Sequence, residues 1–432
     1  MATAPTTPTT TQGHSPSSAT PPRSRRAATA AVVTAWLFVV FDGYDLIVYG
    51  TVQARLREAW SLDSAQAGTV GSVAFLGMML GALGAGRLSD ALGRKRTIIG
   101  SAIVLSIFTT LCAVAPGPVP FAVFRFLAGL GLGGLVPSAN ALAADLVPQR
   151  WRASVATLMM SGVPIGGSIA ALVGIPVIPA WGWRPMFAFA LVALVVLVPV
   201  AWRVLPGDDP RAGAARPLTA RRTGFGTLLR APFLLVTTLF TLTTVVTLMA
   251  WYGLGTWLPN LMEIAGYDLG SALTFALALN LGAVAGSVVT AWAGDRFGTV
   301  PTSIVAAGLA GLALLALLTQ PPVAAVYVIL VLAGVGTHGT QALIIAAVAT
   351  YYPQHVRGTA LGFALGVGRI GAVAAPQVGG LLLAAGLGVG SNFLLFGGCA
   401  VIAALLLTAI WRRFGITYDA DADARAATLA AH

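Results

Sequence analysis

Among Asp, Glu, Lys and Arg, four residues interrupt long apolar runs of this chain: Asp42 and Asp45 in Phe41-Asp-Gly-Tyr-Asp-Leu46, Arg125 in Phe124-Arg-Phe126, and Arg369 in Gly368-Arg-Ile370. An ionisable side chain inside hydrocarbon costs about 2.5–3.5 kcal/mol on insertion scales, so each is a functional candidate, with structural pairing as the plain alternative. Asp42 and Asp45 stand at i and i+3, on one face of a helix. In a low dielectric two such carboxylates disfavour each other's ionisation unless a cation stands beside them. That pattern suits proton exchange: Arg125 holds one carboxylate charged while the other takes up and loses a proton. The simpler reading is a static Asp–Arg bridge with the second aspartate near the headgroups. Arg369 has no acid at comparable depth in its half, and a planar fork of donors matches a carboxylate ligand. It is read as the main anion anchor, with pairing to Asp42 or Asp45 in the empty protein as the competing role.

Around Arg369 the spacing places His338 and Gln341, again i and i+3, and Asn280 at similar depth. His338 either carries a proton, donates to a bound anion or is simply hydrogen-bonded, and the three readings stay open. Tyr44, Trp251, Tyr252 and Trp257 are candidates for an aromatic slot, although tryptophans near helix ends are more commonly interfacial anchors. Cys112 and Cys399 lie in apolar runs as packing residues, so no metal site and no disulfide framework is indicated. No nucleophile motif or phosphate-cradling loop marks an enzyme.

The elements that position these residues follow from composition. Of 432 residues 57% are hydrophobic and 9% charged, which excludes an ordinary soluble domain, where about 25% are charged. Apolar runs long enough to cross a bilayer, about 20 residues each, recur twelve times. They are read as 28–50, 66–88, 96–115, 119–143, 153–177, 184–204, 231–258, 271–293, 300–319, 322–350, 357–384 and 391–411. Residues 1–27 are expected to be a disordered tail, 28–205 and 231–411 two six-helix bundles, 206–230 a central loop and 412–432 a second tail. Both tails and the central loop belong in the cytoplasm, because that orientation leaves only Arg55, Arg57 and Arg184 outside. The net charge of +11 is then a topology signal, and nucleic acid is set aside as a partner. At 1.5 Å per residue Asp42 and Asp45 lie about 21 and 25 Å from the inner surface, level with Arg125, while Arg369 is near the midplane at about 18 Å.

The two bundles are copies at a constant offset of 205 residues: Gly77 and Gly81 repeat as Gly282 and Gly286, Asp90 and Gly93 as Asp295 and Gly298, Pro148 and Arg152 as Pro353 and Arg357. A duplicated 6+6 chain is a common build for an alternating-access transporter, with its site between the halves near the midplane. The connections Gly86-Arg-Leu-Ser-Asp90-Ala-Leu-Gly93-Arg94 and Asp295-Arg-Phe-Gly298 read as gates: Asp90 holds a neighbouring arginine in a charge lock that opens when the halves move. Gly93, Arg94, Asp295, Arg152 and Arg357 belong to the same gate machinery.

These loops resemble the signature of the major facilitator superfamily over residues 28–411, with Ala91 where that signature usually has arginine. Asp42-Gly-Tyr-Asp45, Arg125-Phe-Leu-Ala-Gly-Leu-Gly-Leu-Gly-Gly134 with Pro137, and Gly368-Arg-Ile-Gly371 with Pro376 resemble the aromatic acid:proton symporter family. The resemblance implies import of benzoate-like or hydroxybenzoate-like anions driven by the proton gradient, with Asp42, Asp45 and Asp90 required for uptake. The expectation is therefore an all-α membrane protein of the major facilitator fold in the bacterial cytoplasmic membrane, functional as a monomer, without a cofactor. Importing another organic anion and proton-coupled drug export are the alternatives; Gly162-Val-Pro164 only partly matches the exporter motif.

Overall fold

The computed structural model describes residues 25–207 and 225–415, apart from the side chains at 86, 87, 90, 225, 354 and 355. Most of the expected tails and central loop therefore lies outside the described residues. The protein is an all-α membrane protein, and among the described residues twelve helices are long and apolar enough to span a bilayer. The first half comprises α1 (Arg25–Trp60), α2 (Ser64–Leu92), α3 (Arg94–Cys112), α4 (Pro118–Asp145), α5 (Arg152–Trp181) and α6 (Arg184–Val204). The second comprises α7 (Leu234–Ile264), α8 (Leu269–Phe297), α9 (Thr299–Ala316), α10 (Val323–Tyr351), α11 (Gln354–Ala384) and α12 (Gly388–Phe414). Below, the face carrying residues 25 and 415 is called proximal and the opposite face distal.

Several boundaries shift from those read in the sequence. Helix α1 begins at Arg25 and α12 runs to Phe414, because polar and basic residues extend a helix beyond the apolar core. A single turn, Phe225–Leu228, precedes α7, which starts at Leu234 rather than 231. Helix α6 is not one regular span: Ala193–Leu197 wind more widely than an α-helix, just before Pro199. Proline lacks an N–H and its ring crowds the carbonyl four residues earlier, so the ladder widens there.

The duplication holds at the level of individual contacts. A Cβ on Gly77 or Gly129 in the α2–α4 crossing would land on the backbone oxygen of Phe126 or Ala74; at the same offset, Gly282 and Gly334 face the oxygens of Val331 and Leu279. Gly166 against Val40 in α5–α1 repeats as Gly371 against Val245 in α11–α7. Without a Cβ the backbones approach closely, which is how helices associate where hydrocarbon removes the hydrophobic drive. The ends match as well: Asp63 and Asp268 cap α2 and α8, and Gly93 and Gly298, at φ 88° and 93°, make the turns into α3 and α9. That left-handed backbone is where glycine is the natural residue.

The halves meet on the distal side. Gly50 of α1 lies against Gly255 of α7, Gly380 of α11 against Ser64, and Thr69 donates to Gln377 at 2.8 Å. Helix α11 shows where this seal ends. Pro376 and Gly380, on the Arg369 face, touch α2, whereas Gly366, Gly362 and Gly358, continuing that face proximally, have open space where a side chain would stand. The molecule is closed distally and parted proximally.

Candidate functional site

Helix α1 brings both aspartates into the protein interior, Asp42 at 2% exposure and Asp45 at 0%. Their surroundings differ. Asp45 receives Nη1 of Arg125 on both carboxylate oxygens at 2.9 and 2.8 Å, and Thr109 Oγ1 at 2.6 Å. Arg125 Nη2 also donates to the Asp45 carbonyl at 3.1 Å. Such added hydrogen bonds offset part of the cost of burying an ion pair, although Arg125 Nε stays buried without a partner. Asp42, one turn away, keeps Oδ1 buried with no hydrogen-bond partner.

Arg369 lies across the interface, half-buried, with Nη1 3.4 Å from the Met78 carbonyl of α2. Among the described residues no carboxylate is within ion-pair distance of it, so the expected alternative pairing with Asp42 or Asp45 is not formed. Asp42 and Arg369 are nonetheless within electrostatic reach, and Tyr252 of α7 feels both. Tyr252 packs on Phe75 with ring centroids 4.8 Å apart. The resulting centre has a carboxyl with a spare oxygen, a guanidinium without a counter-ion and two aromatic rings.

His338 stands beside Trp251, with ring centroids 5.0 Å apart, and its Nε2 meets the Met160 carbonyl of α5 at 3.1 Å. It links the two halves at mid-depth. Gln341 is buried with Oε1 unpartnered; Asn280 donates to its own helix at Ala276 O, 2.8 Å, and leaves Oδ1 unpartnered against Gly167 of α5.

The aromatic slot expected from four residues does not form as one. Tyr44 turns to α6, donating to the Met186 carbonyl at 2.7 Å and stacking near Phe41 and Phe189. Trp257 donates to the Pro376 carbonyl at 2.9 Å and is fully buried, as is nearly all of Trp251, so neither is an interfacial anchor. Of the four, Trp251 packs on His338, and Tyr252, packed on Phe75, is the one within electrostatic reach of Asp42 and Arg369.

In the gate loops, Arg94 pairs with Asp145 at the proximal end of α4 and reaches the Ala141 carbonyl at 3.5 Å. This lock ties α3 to α4 within one half. The Asp90 side chain lies outside the described residues. Asp295 and Arg152 are exposed, and Arg357 donates to the Tyr352 carbonyl at 3.2 Å. Sequence reasoning missed Asp145, Thr109 and Phe75. Asp145 had a signal, as an acid closing an apolar run; Thr109 and Phe75 had none. A groove of about 480 Å³ between the distal ends of α2 and α4 is lined by residues such as Val70, Val119 and Phe126, away from these charges.

A duplicated twelve-helix bundle, closed on one face around charges held at mid-depth, is the architecture of a secondary transporter. The chain belongs to the major facilitator superfamily: the family model described as Major Facilitator Superfamily matches residues 35–288 and 274–419. It is 61% identical to a gentisate transporter of Corynebacterium glutamicum, covering 89% of this chain and 87% of that protein. It is 33% identical to a benzoate transport protein of Acinetobacter baylyi, covering 84% and 85%. Its fold matches a crystal structure of a D-xylose-proton symporter with a TM-score of 0.75 at 16% identity, over 88% of this chain and 97% of that one.

Proposed function

We propose that this chain imports aromatic monocarboxylates with protons across the bacterial cytoplasmic membrane, as a monomer and with no cofactor beyond the proton gradient. The observation that carries the reading is the inequality of the two aspartates: Asp45 is fully engaged by Arg125 and Thr109, while Asp42 keeps an oxygen without a partner and lies within electrostatic reach of Arg369. Asp42 is then the exchangeable proton site, Asp45 the fixed countercharge that keeps Arg125 in place, and Arg369 the anchor for the substrate carboxylate. Tyr252, Phe75 and Trp251 supply ring contacts. The unpartnered oxygens of Gln341 and Asn280 suit ring hydroxyl donors, which favours hydroxylated benzoates. The names of the gentisate and benzoate relatives support the class. The proximal face is cytoplasmic: Arg94, Lys95, Arg96, Arg150, Arg152, Arg412 and Arg413 lie there, against Arg55, Arg57 and Arg184 distally.

In the cycle, a substrate anion reaches Arg369 when the distal seal opens, an external proton joins Asp42, the halves rock, and both leave through the proximal opening. The chain acts as a transporter and not as an enzyme. Uptake of radiolabelled gentisate, 4-hydroxybenzoate, protocatechuate and benzoate, with and without a protonophore, tests this. Accumulation of at least one that collapses with the protonophore is expected; absence of uptake by protein shown to be in the membrane overturns it.

A further inference from the structure

The distal seal between α1 and α7 is graded. Deepest, Gly50 and Gly255 touch backbone to backbone; then Asn260 Nδ2 donates to Gln53 Oε1 at 3.4 Å; at the rim, Arg55 Nη2 stands 3.7 Å from Glu263 Oε2. Among the ion pairs of the described residues, Arg55–Glu263 is the one that joins the two halves. Its members are 35% and 17% exposed, so it is open to external water but not dissolved in it.

The surrounding charges are unequal. Arg55 also holds Glu58 on its own helix, Nη1 to Oε1 at 2.7 Å. Glu263 faces Arg55, Glu58 and Asp268, while Arg57 points to the Leu62 carbonyl at 3.5 Å. Two acids, Glu58 and Glu263, thus share one cation, and Asp268 adds a third negative charge near Glu263. Asp268 is committed as the cap of α8: the Ser271 hydroxyl and backbone N–H donate to it at 2.6 and 2.9 Å, holding its carboxyl below the usual range. When the seal parts, Arg55 keeps Glu58, and Glu263 alone loses its partner. A proton is what Glu263 can take in exchange.

We propose that Arg55 and Glu263 form a proton-released latch on the distal mouth, which holds α1 to α7 while the transporter faces inward and lets go when an external proton neutralises Glu263. The assignment of external protons to this face rests on the orientation given above. External acid then does two separate things: it supplies the transported proton at Asp42 and raises the fraction of molecules open to substrate. An exposed pair of this kind shifts a two-state equilibrium only modestly, by about two- to fivefold.

The test reads the seal without substrate. Spin labels on Val119→Cys and Val323→Cys, exposed positions at the distal starts of α4 and α10, report the separation of the halves in vesicles, in a background lacking Cys112 and Cys399. The longer-distance population is expected to rise about two- to fivefold from about pH 8 to about pH 5. Glu263→Gln should sit at the raised level at both pH values, and Glu263→Asp should retain the response. Superposable curves for the native protein and Glu263→Gln, or a native protein that does not respond, overturn the latch. Because no substrate enters, failure of the uptake experiment leaves this result readable on its own.

Discussion

Asp42 and Asp45 share a helix face, one turn apart, yet differ in what touches them, and in the proposed cycle the difference divides their roles. Removing the charge of Asp45 leaves Arg125 buried without a countercharge, and breaking a buried pair from one side costs about 3–5 kcal/mol. Asp45→Asn is therefore expected to lower the melting temperature of the purified protein markedly and its yield with it. Asp42→Asn removes no hydrogen bond from its free Oδ1, so the fold should survive with near-native stability. Its expected signature is loss of protonophore-sensitive accumulation while substrate exchange between preloaded vesicles persists; accumulation with native pH dependence would contradict the role. At Arg369 geometry counts as well as charge. Arg369→Lys keeps the cation but loses the fork, and a loss of at least about tenfold in substrate affinity, close to 1.4 kcal/mol, is expected in equilibrium binding.

The helices are held by repeated close crossings rather than by bulky interlocking. Gly77 and Gly282 occupy equivalent points of α2–α4 and α8–α10, and at both a Cβ would meet a carbonyl oxygen. Gly77→Ala and Gly282→Ala should each destabilise by about 1–3 kcal/mol, the usual cost of overpacking, read as parallel drops in thermal stability. The caps make a pH-dependent contribution. Asp268 is held below its ordinary value of 3.8, chiefly by the Ser271 hydroxyl, so its cap stabilises above that value and is lost as pH falls through the lowered one. Asp268→Ala should therefore lower the melting temperature at neutral pH, and the difference from native should shrink as the pH falls below about 4. The widened turn in α6 belongs to this scale too: one proline decides it locally, without reference to the substrate path.

At the scale of the molecule, two copied halves carry uncopied chemistry. At the internal offset Asp42 corresponds to Thr247, Asp45 to Ala250, Arg125 to Leu330 and Arg369 to Pro164. The scaffold is symmetric so that it can rock; the charges are not, the Asp45–Arg125 pair lying within the first half while Asp42 and Arg369 belong to opposite halves. The parted proximal side gives a direct prediction. A cysteine at Gly362, on the open run of the Arg369 face, should react with a membrane-impermeant maleimide in inside-out vesicles and stay protected in right-side-out ones. Equal labelling from both sides would contradict the closed distal seal.

Much of this architecture was legible in the sequence because hydrocarbon is an unforgiving solvent. Its thickness sets the length of each span, its cost for charge makes Asp42, Asp45, Arg125 and Arg369 conspicuous, and duplication prints one offset along both halves. Partner choice was not legible. That Arg125 takes Asp45 and not Asp42, that Tyr44 turns to Met186 rather than inward, that Arg94 meets Asp145, and that Arg55 reaches Glu263 depend on helix rotation and on contacts between residues far apart in the chain. Spacing along one helix gives a shared face but not the neighbour that face will meet. Depth and repetition are properties of the sequence in a bilayer; pairing and the side on which the halves are closed were decided only when the twelve helices packed.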